Sequence, residues 1–365
     1  MKILCVIDSL CAGGAQRQIV ELALGFSERG HSVEFLTYYY SSFFISEIEN
    51  VGINIVCIEE VNYIKRLIKM RRFIRKGKYH TVLSFLEASN FICQFAGLPY
   101  RKWKLVVGER SANPRILKSF KLMVYRWFHF LADYIVANSN SNMEYVCTVN
   151  PWLSKSKCHI IYNIVDFDKF MPSNNGRLSQ TDIFKLIIPA RIGYEKNIKG
   201  LIEALMLLNY EEKKKIKIDW YGKYEDDGNE LLNESLAQIK RNGLEGILTF
   251  HDATLDIKQI MQKSDAVGLF SFYEGFPNAI CEAMACAKPV ICSEVSDIAS
   301  FLSYEPGLLC NPMDPYSIKG ALSYLIKLDS IQLKAIGKRN RDIALKEFEK
   351  EKIVSSYLKL MGADH

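Results

Sequence analysis

The sequence predicts an α/β protein of two Rossmann-like, doubly wound domains facing a central cleft. Three observations carry this expectation. The 365 residues exceed what a single hydrophobic core usually organises. Apolar strand-like runs alternate with amphipathic stretches in two successive series, the pattern of parallel crossover units. Between the series lies Met171-Pro172-Ser173-Asn174-Asn175-Gly176, a polar, turn-rich stretch of linker composition.

In the first series, strands are expected at Lys2–Asp8, His31–Tyr39, Ile53–Ile58, Thr81–Leu86, Leu105–Gly108, Tyr134–Asn138 and Cys158–Val165. Helices are expected at Gln16–Arg29, Tyr63–Lys76 and Leu117–Leu131. The second series has strands at Phe184–Pro189, Ile216–Tyr221, Leu248–His251, Ala266–Ser271 and Pro289–Ser293. Its helices are Asn197–Leu208, Gly228–Asn242, Asp256–Lys263, Pro277–Ala287, Pro315–Leu328 and the stretch from Ile331 to Leu360. These spans give a first domain over 1–165, a linker over 166–181 and a second domain over 182–341.

Composition narrows the function classes. The ten cysteines are scattered without a CxxC pair, which argues against a zinc ribbon or disulfide framework and for a reducing compartment. No run approaches 18 apolar residues, and Met1–Ile7 reads as a short strand, so a cytoplasmic chain without a membrane-spanning helix or signal peptide is expected. No histidine and cysteine grouping suggests a metal, and none is expected. Through residue 165 there are 21 Lys and Arg against 12 Asp and Glu, leaving 26 against 29 for the remainder. The basic excess is concentrated in Tyr63–Tyr79, which holds eight cations and no acid, and in Arg101–Phe128. No nucleic-acid motif accompanies it. With interspersed Ile64, Leu67, Ile68 and Trp127, the excess fits either a solvated face or peripheral contact with an anionic membrane surface.

The most informative segment is Ser271-Phe272-Tyr273-Glu274-Gly275-Phe276-Pro277-Asn278, continuing Ala279-Ile280-Cys281-Glu282-Ala283-Met284-Ala285. It follows an apolar strand, so Glu274 falls on the loop at the carboxyl edge of the sheet, where open α/β sheets bind ligands. Pro277 suits a first helical position. The free N–H groups of the helix that follows would face an anion, and Glu282 lies a little over one turn into it. Two carboxylates and an anion site match the hydroxyls, ribose diol and diphosphate of a sugar nucleotide.

This EGFP…EAMA frame, with seven residues between Glu274 and Glu282, resembles the signature of family 4 glycosyltransferases of the GT-B fold. The resemblance implies a retaining, metal-independent hexosyltransferase without a cofactor. Its nucleotide-sugar donor would be held by Gly14, Arg191, Lys196, Phe276, Pro277, Asn278 and Glu282, and Glu274 would act at the donor hexose as the catalytic carboxylate. Pro189-Ala190-Arg191-Ile192-Gly193-Tyr194-Glu195-Lys196-Asn197 is similar to the family's GR-x-x-x-x-K-N segment, with Ala190 for Gly. Cations on such a loop can neutralise a diphosphate leaving group. Gly13-Gly14-Ala15-Gln16-Arg17 resembles the family's GGAER loop, and Ile161–Phe170 its interdomain junction. Gly13, Arg17 and Arg110 are candidates for acceptor or donor-sugar contact, Arg110 standing where many members carry a histidine. The ERS-N segment around it resembles bacterial polysaccharide-assembly members, which implies a lipid-diphosphate-linked saccharide acceptor at the inner face of the cytoplasmic membrane, in O-antigen or lipopolysaccharide biosynthesis. The fold further implies that residues 342–365 form a helix packing back toward the first domain. A UDP-sugar 2-epimerase of the same fold and a non-catalytic nucleotide-sugar-binding protein are the alternatives.

Overall fold

The structure, a computed structural model, describes residues 1–173, 183–223 and 226–363. The chain divides into two compact units, one of Met1–Ile164 with Lys350–His365 and one of Val165–Glu349.

Unit 1 opens with β1 (Lys2–Val6), α1 (Gly14–Glu28), β2 (Ser32–Thr37), α2 (Ile45–Glu49) and β3 (Asn54–Cys57). It continues through α3 (Tyr63–Lys76), β4 (Thr81–Phe85), α4 (Glu87–Ala96), β5 (Lys104–Glu109) and α5 (Phe120–Trp127). Then come β6 (Tyr134–Ala137), α6 (Asn140–Val149) and β7 (Cys158–Ile160). All pairings are parallel, in the order β3-β2-β1-β4-β5-β6-β7. Both faces of β1 are buried: Ile3 and Cys5 enter one apolar cluster, Leu4 and Val6 another. That two-sided burial is why the strand reads as an unbroken apolar run.

Unit 2 contains β8 (Phe184–Pro189), α7 (Ile198–Leu207), α8 (Tyr210–Lys215), β9 (Ile216–Tyr221), α9 (Asp226–Arg241) and β10 (Leu248–His251). It goes on with α10 (Ile257–Lys263), β11 (Ala266–Leu269), α11 (Asn278–Ala285), β12 (Val290–Ser293) and α12 (Ile298–Leu302). The unit closes with β13 (Leu309–Cys310), α13 (Pro315–Lys327) and α14 (Ser330–Phe348). Its six parallel strands run β10-β9-β8-β11-β12-β13. In each sheet the winding reverses beside the first strand, between β1 and β4 and between β8 and β11. Ligands of such folds sit in the crevice beyond those strand ends.

Several expected spans are revised. The stretch from Ile331 to Leu360 is two helices, because Glu349 adopts an extended conformation (φ −65°, ψ 135°) between α14 and α15 (Lys350–Met361). Residues 342–349 therefore belong to unit 2, where the Phe348 ring meets those of Phe276 and Phe301 at 5.4 and 5.5 Å. The helix that joins unit 1 begins at Lys350, not at residue 342. Unit 2 begins at Val165, and Phe170, in the span read as linker, is buried. Residues 174–181 of that span lie outside the described residues. The helix expected over Leu117–Leu131 is α5 flanked by two 3₁₀ turns, Pro114–Leu117 and Phe128–Leu131.

Candidate active site

The reversal point of unit 2 brings together the loops after β8 and β11, which carry the two motifs. The first is fixed by its backbone. Ala190 C=O accepts the buried Trp220 indole N–H at 2.7 Å, and Ile192 N–H donates to Lys223 C=O at 2.9 Å. After a 3₁₀ turn at Tyr194–Lys196, Asn197 takes a left-handed conformation (φ 58°), which asparagine tolerates better than most residues. Its side chain caps α7 by accepting Gly200 N–H at 3.1 Å and donates to Pro312 C=O at 2.7 Å. The Asn of this motif is thus a structural pin, and α7 starts at Ile198.

The loop after β11 is tied to the first by Phe272 N–H donating to Glu195 C=O at 2.8 Å. Glu274 Oε1 accepts from Lys196 Nζ at 2.5 Å and from Ser271 Oγ at 2.6 Å. Both ion-pair partners are largely shielded, with side-chain exposures of 16% for Lys196 and 13% for Glu274. Ser296 Oγ donates to Gly275 C=O at 2.7 Å and holds the tight turn. Pro277 is the residue before α11 and not its first, which is Asn278, and Pro277 offers the helix no side-chain cap. Ile280 and Cys281 N–H both donate to Pro277 C=O, at 3.1 and 3.3 Å, and a helix start at this edge of the sheet is the ordinary setting for anion binding. Glu282 is 8% exposed, one turn inside the same helix. The neighbouring Cys286 thiol is pushed up to about 12 by burial and then by the Glu282 charge, so it stays protonated.

Two of the expected donor residues have partners within unit 2. Phe276 is buried against Phe348, so its side chain anchors the loop in the core and is not presented to a ligand. Arg191 is engaged by an acid of its own loop. Its guanidinium donates to Glu195 Oε1 at 2.6 Å and is nearly half exposed, an i,i+4 surface pair worth at most about 1 kcal/mol.

At the reversal point of unit 1, Gly13 precedes α1 in an extended conformation. A Cβ on Gly13 would lie 2.1 Å from Gln16 Oε1, so glycine makes room for that side chain. Gln16 Nε2 donates to Asp8 Oδ1 at 3.0 Å, a bond that glutamate at this position would replace with like-charge repulsion. Gly14 opens α1, and the half-buried Arg17 follows one turn inside, its N–H donating to Gly13 C=O.

Residues 12–169 match the model of Glycosyltransferase Family 4, and residues 174–343 match that of Glycosyl transferases group 1. The chain belongs to this glycosyltransferase family. It is 27% identical over 303 residues to the N-acetylgalactosamine-N,N'-diacetylbacillosaminyl-diphospho-undecaprenol 4-alpha-N-acetylgalactosaminyltransferase of Campylobacter jejuni, covering 80% of this chain and 79% of that protein. It is 26% identical to the Escherichia coli UDP-Gal:alpha-D-GlcNAc-diphosphoundecaprenol alpha-1,3-galactosyltransferase, over 74% of this chain and 70% of the relative. Among solved structures, Anabaena HepE in complex with UDP and glucose superposes with a TM-score of 0.86 over the whole of both chains at 20% identity. The two parallel doubly wound sheets are those of the GT-B glycosyltransferases.

In this glycosyltransferase Arg110 is engaged within unit 1. Its guanidinium lies 3.9 Å from the Phe85 ring centroid and donates to Asn163 Oδ1 at 3.1 Å and to the Tyr357 hydroxyl. Gly108 makes this possible, since a Cβ there would stand 2.3 Å from the Phe85 ring. One residue earlier is a cluster the sequence reading missed. Glu109 accepts from Arg126 at 2.7 Å and faces His129 Nε2 at 2.9 Å. Gln94 completes the set at His129 Nδ1, and Glu87 lies 3.3 Å from Arg126. Arg126 and His129 are fully buried. Burial pushes the Glu109 carboxyl up, but the Arg126 charge and the His129 contacts outweigh it and hold the group at about 2. The available signal was a glutamate ending an apolar strand, with Arg126 and His129 in an otherwise apolar stretch.

The basic stretch is also more internal than its composition implies. Arg71 and Arg75 donate to carbonyls at the end of α4 and beyond, including Leu98 C=O at 2.7 and 3.2 Å. Arg66 packs among the rings of Tyr38, Tyr39 and Tyr63, and Lys69 pairs with Glu60 at 2.6 Å. Lys65, Arg72 and Lys76 remain exposed, beside exposed Ile64 and Ile68. Among the described residues no helix is long and apolar enough to cross a membrane, and no group of His, Cys, Asp and Glu is placed to hold a metal ion.

Proposed function

We propose that this enzyme moves a hexose or N-acetylhexosamine from a UDP-linked donor to an undecaprenyl-diphosphate-linked saccharide, with retention of configuration, in surface polysaccharide assembly. The observation that carries the reading is the shielded pair of Lys196 with Glu274, on the loop that leads into the start of α11. The family relatives act on lipid-diphosphate-linked sugars by name, which supports the acceptor class.

In this reading the donor diphosphate takes the N–H groups of α11 and draws Lys196 away from Glu274, and Glu282 holds the ribose diol. Glu274, released from its cation, faces the hexose and stabilises the positive charge that develops as the bond from C1 to the phosphate oxygen breaks. The acceptor hydroxyl then bonds to C1 on the face the phosphate leaves, and its proton passes to the departing phosphate oxygen. No covalent sugar–enzyme intermediate is needed, and leaving-group charge is met by Lys196 and the helix start without a metal.

Thermal denaturation with UDP, GDP and ADP tests the donor assignment, because a ligand bound only by the native state raises its stability. UDP is expected to raise Tm most; equal shifts with all three would overturn the uridine assignment. Glu282→Ala removes hydrogen bonds to a charged acceptor and is expected to weaken UDP binding about 10- to 100-fold. Calorimetry giving an unchanged Kd would remove Glu282 from the site.

The enzyme is also proposed to work at the inner face of the cytoplasmic membrane, held there by the exposed cations of α3. Replacing Lys65, Arg72 and Lys76 by serine should cut sedimentation with phosphatidylglycerol vesicles at low salt by about ten-fold or more, since each surface cation is worth about 1 kcal/mol. Unchanged sedimentation would sink this part of the proposal.

A further inference from the structure

Beside the Lys196–Glu274 pair, unit 2 carries a groove of about 220 Å³ that neither carboxylate lines. Its walls come from the loop after β8 with the start of α7, from Phe272, and from the loop after β13. Tyr194, Phe272, Pro312 and Met313 make the apolar surface, and Lys199 and Glu203 fringe it.

The aromatic wall is exposed, and the backbone that carries it is tied down. Tyr194 is 74% accessible, its ring 5.3 Å from that of Phe272 at 36°. The two rings ride on segments joined by the Phe272 N–H to Glu195 C=O bond, and Asn197 ties the opposite wall through Pro312 C=O. Met313 is 75% exposed across the groove. Such apolar side chains contribute little to a core, and holding them in place on a polar rim is how ligand surfaces are made.

The charge pattern selects the ligand. Lys199 is matched by Glu234 at 2.7 Å, and Glu203 adds an exposed acid, so the groove has no surplus cation for a phosphate. A pyranose suits it: its C–H face lies on aromatic rings, and its hydroxyls reach the polar fringe. Position points the same way. Tyr194 stands two residues before Lys196 and Phe272 two before Glu274, so both segments of the ion pair also build the groove.

We propose that this groove is a saccharide subsite for sugar units of the acceptor away from the reacting hydroxyl, read by stacking on Tyr194 and Phe272. It rests on the glycosyltransferase reading above, to which it adds a place on the donor domain for the acceptor glycan.

The test uses the full chain, saturated with UDP, and the methyl glycoside of N-acetylgalactosaminyl-α-1,4-N-acetylgalactosamine as probe. Saturation-transfer NMR should show contact to the sugar ring protons, about five-fold weaker in Tyr194→Ala, the scale of one lost aromatic contact. Tyr210→Ala, an equally exposed ring on α8 outside the groove, should match the unaltered protein. Equal signals with and without the Tyr194 ring, no signal, or displacement of the probe by UDP would each overturn the subsite. Failure of UDP to bind the unaltered protein would count against the donor assignment alone, because the Tyr194 comparison can be repeated without nucleotide.

Discussion

Glu274→Ala is expected to slow sugar transfer by about 10²- to 10³-fold, the usual effect of deleting one charge-stabilising group from a transition state. UDP affinity should not fall with it. Lys196 is committed to Glu274 at 2.5 Å, so incoming diphosphate must break that contact to recruit the lysine. Removing the carboxylate frees Lys196 in advance, and UDP is expected to bind as tightly as before or up to about ten-fold more tightly. A lower kcat with tighter UDP binding is therefore the signature of the exchange. Calorimetry showing markedly weaker UDP binding would instead make Glu274 a donor-affinity residue. Unchanged turnover would remove it from the chemistry.

The largest effect on stability is expected at Glu109. Replacing it with alanine leaves Arg126 fully buried, with the partly exposed Glu87 at 3.3 Å as its remaining acid. Breaking a buried pair from one side costs about 3–5 kcal/mol, because a desolvated charge loses its counterion. Denaturant unfolding should show a loss of that size, and the double variant Glu109→Gln with Arg126→Met should cost less than the sum of the single changes. The acidity of Glu109 adds a pH test. With its folded-state value held at about 2, below the ordinary 4.5, its contribution is fully present above pH 4.5 and is lost as pH falls through 2. The acid limb of the stability curve should therefore flatten in Glu109→Gln. An unaltered limb would show that the cluster does not hold Glu109 ionised.

Much of this was legible in the sequence. Phe184–Pro189, Ile216–Tyr221 and Leu248–His251 are the strands expected from their apolar runs, and α3 has the bounds its amphipathic pattern implies. Among the missed helices, which include the short α2, α8 and α12, α4 and α6 bury polar side chains, which blurs the apolar period. Asn90 joins Ser84 Oγ and Gly108 C=O, Gln94 meets His129, and Asn142 meets Asn138. The family motifs located both loops of the candidate site but not their present pairing. Lys196 and Glu274 lie 78 residues apart, and only the reversal of winding between β8 and β11 brings their loops together. The partners of Arg110 were hidden for the same reason. Its Tyr357 partner is 247 residues downstream, in a helix whose membership of unit 1 no local pattern declares.

That helix has a consequence for biosynthesis. Unit 1 begins at the first residue, yet Ile353, Val354, Tyr357 and Leu358 of its core emerge only after all of unit 2. At translation rates of about 5–20 residues per second, the nascent first unit waits roughly 10–40 s for them. Through that interval the apolar flank of α1 has no α15 to cover it, and the Arg110 guanidinium has no phenol to meet. The unit started first is thus finished last, and its maturation is timed by the ribosome's passage through the other.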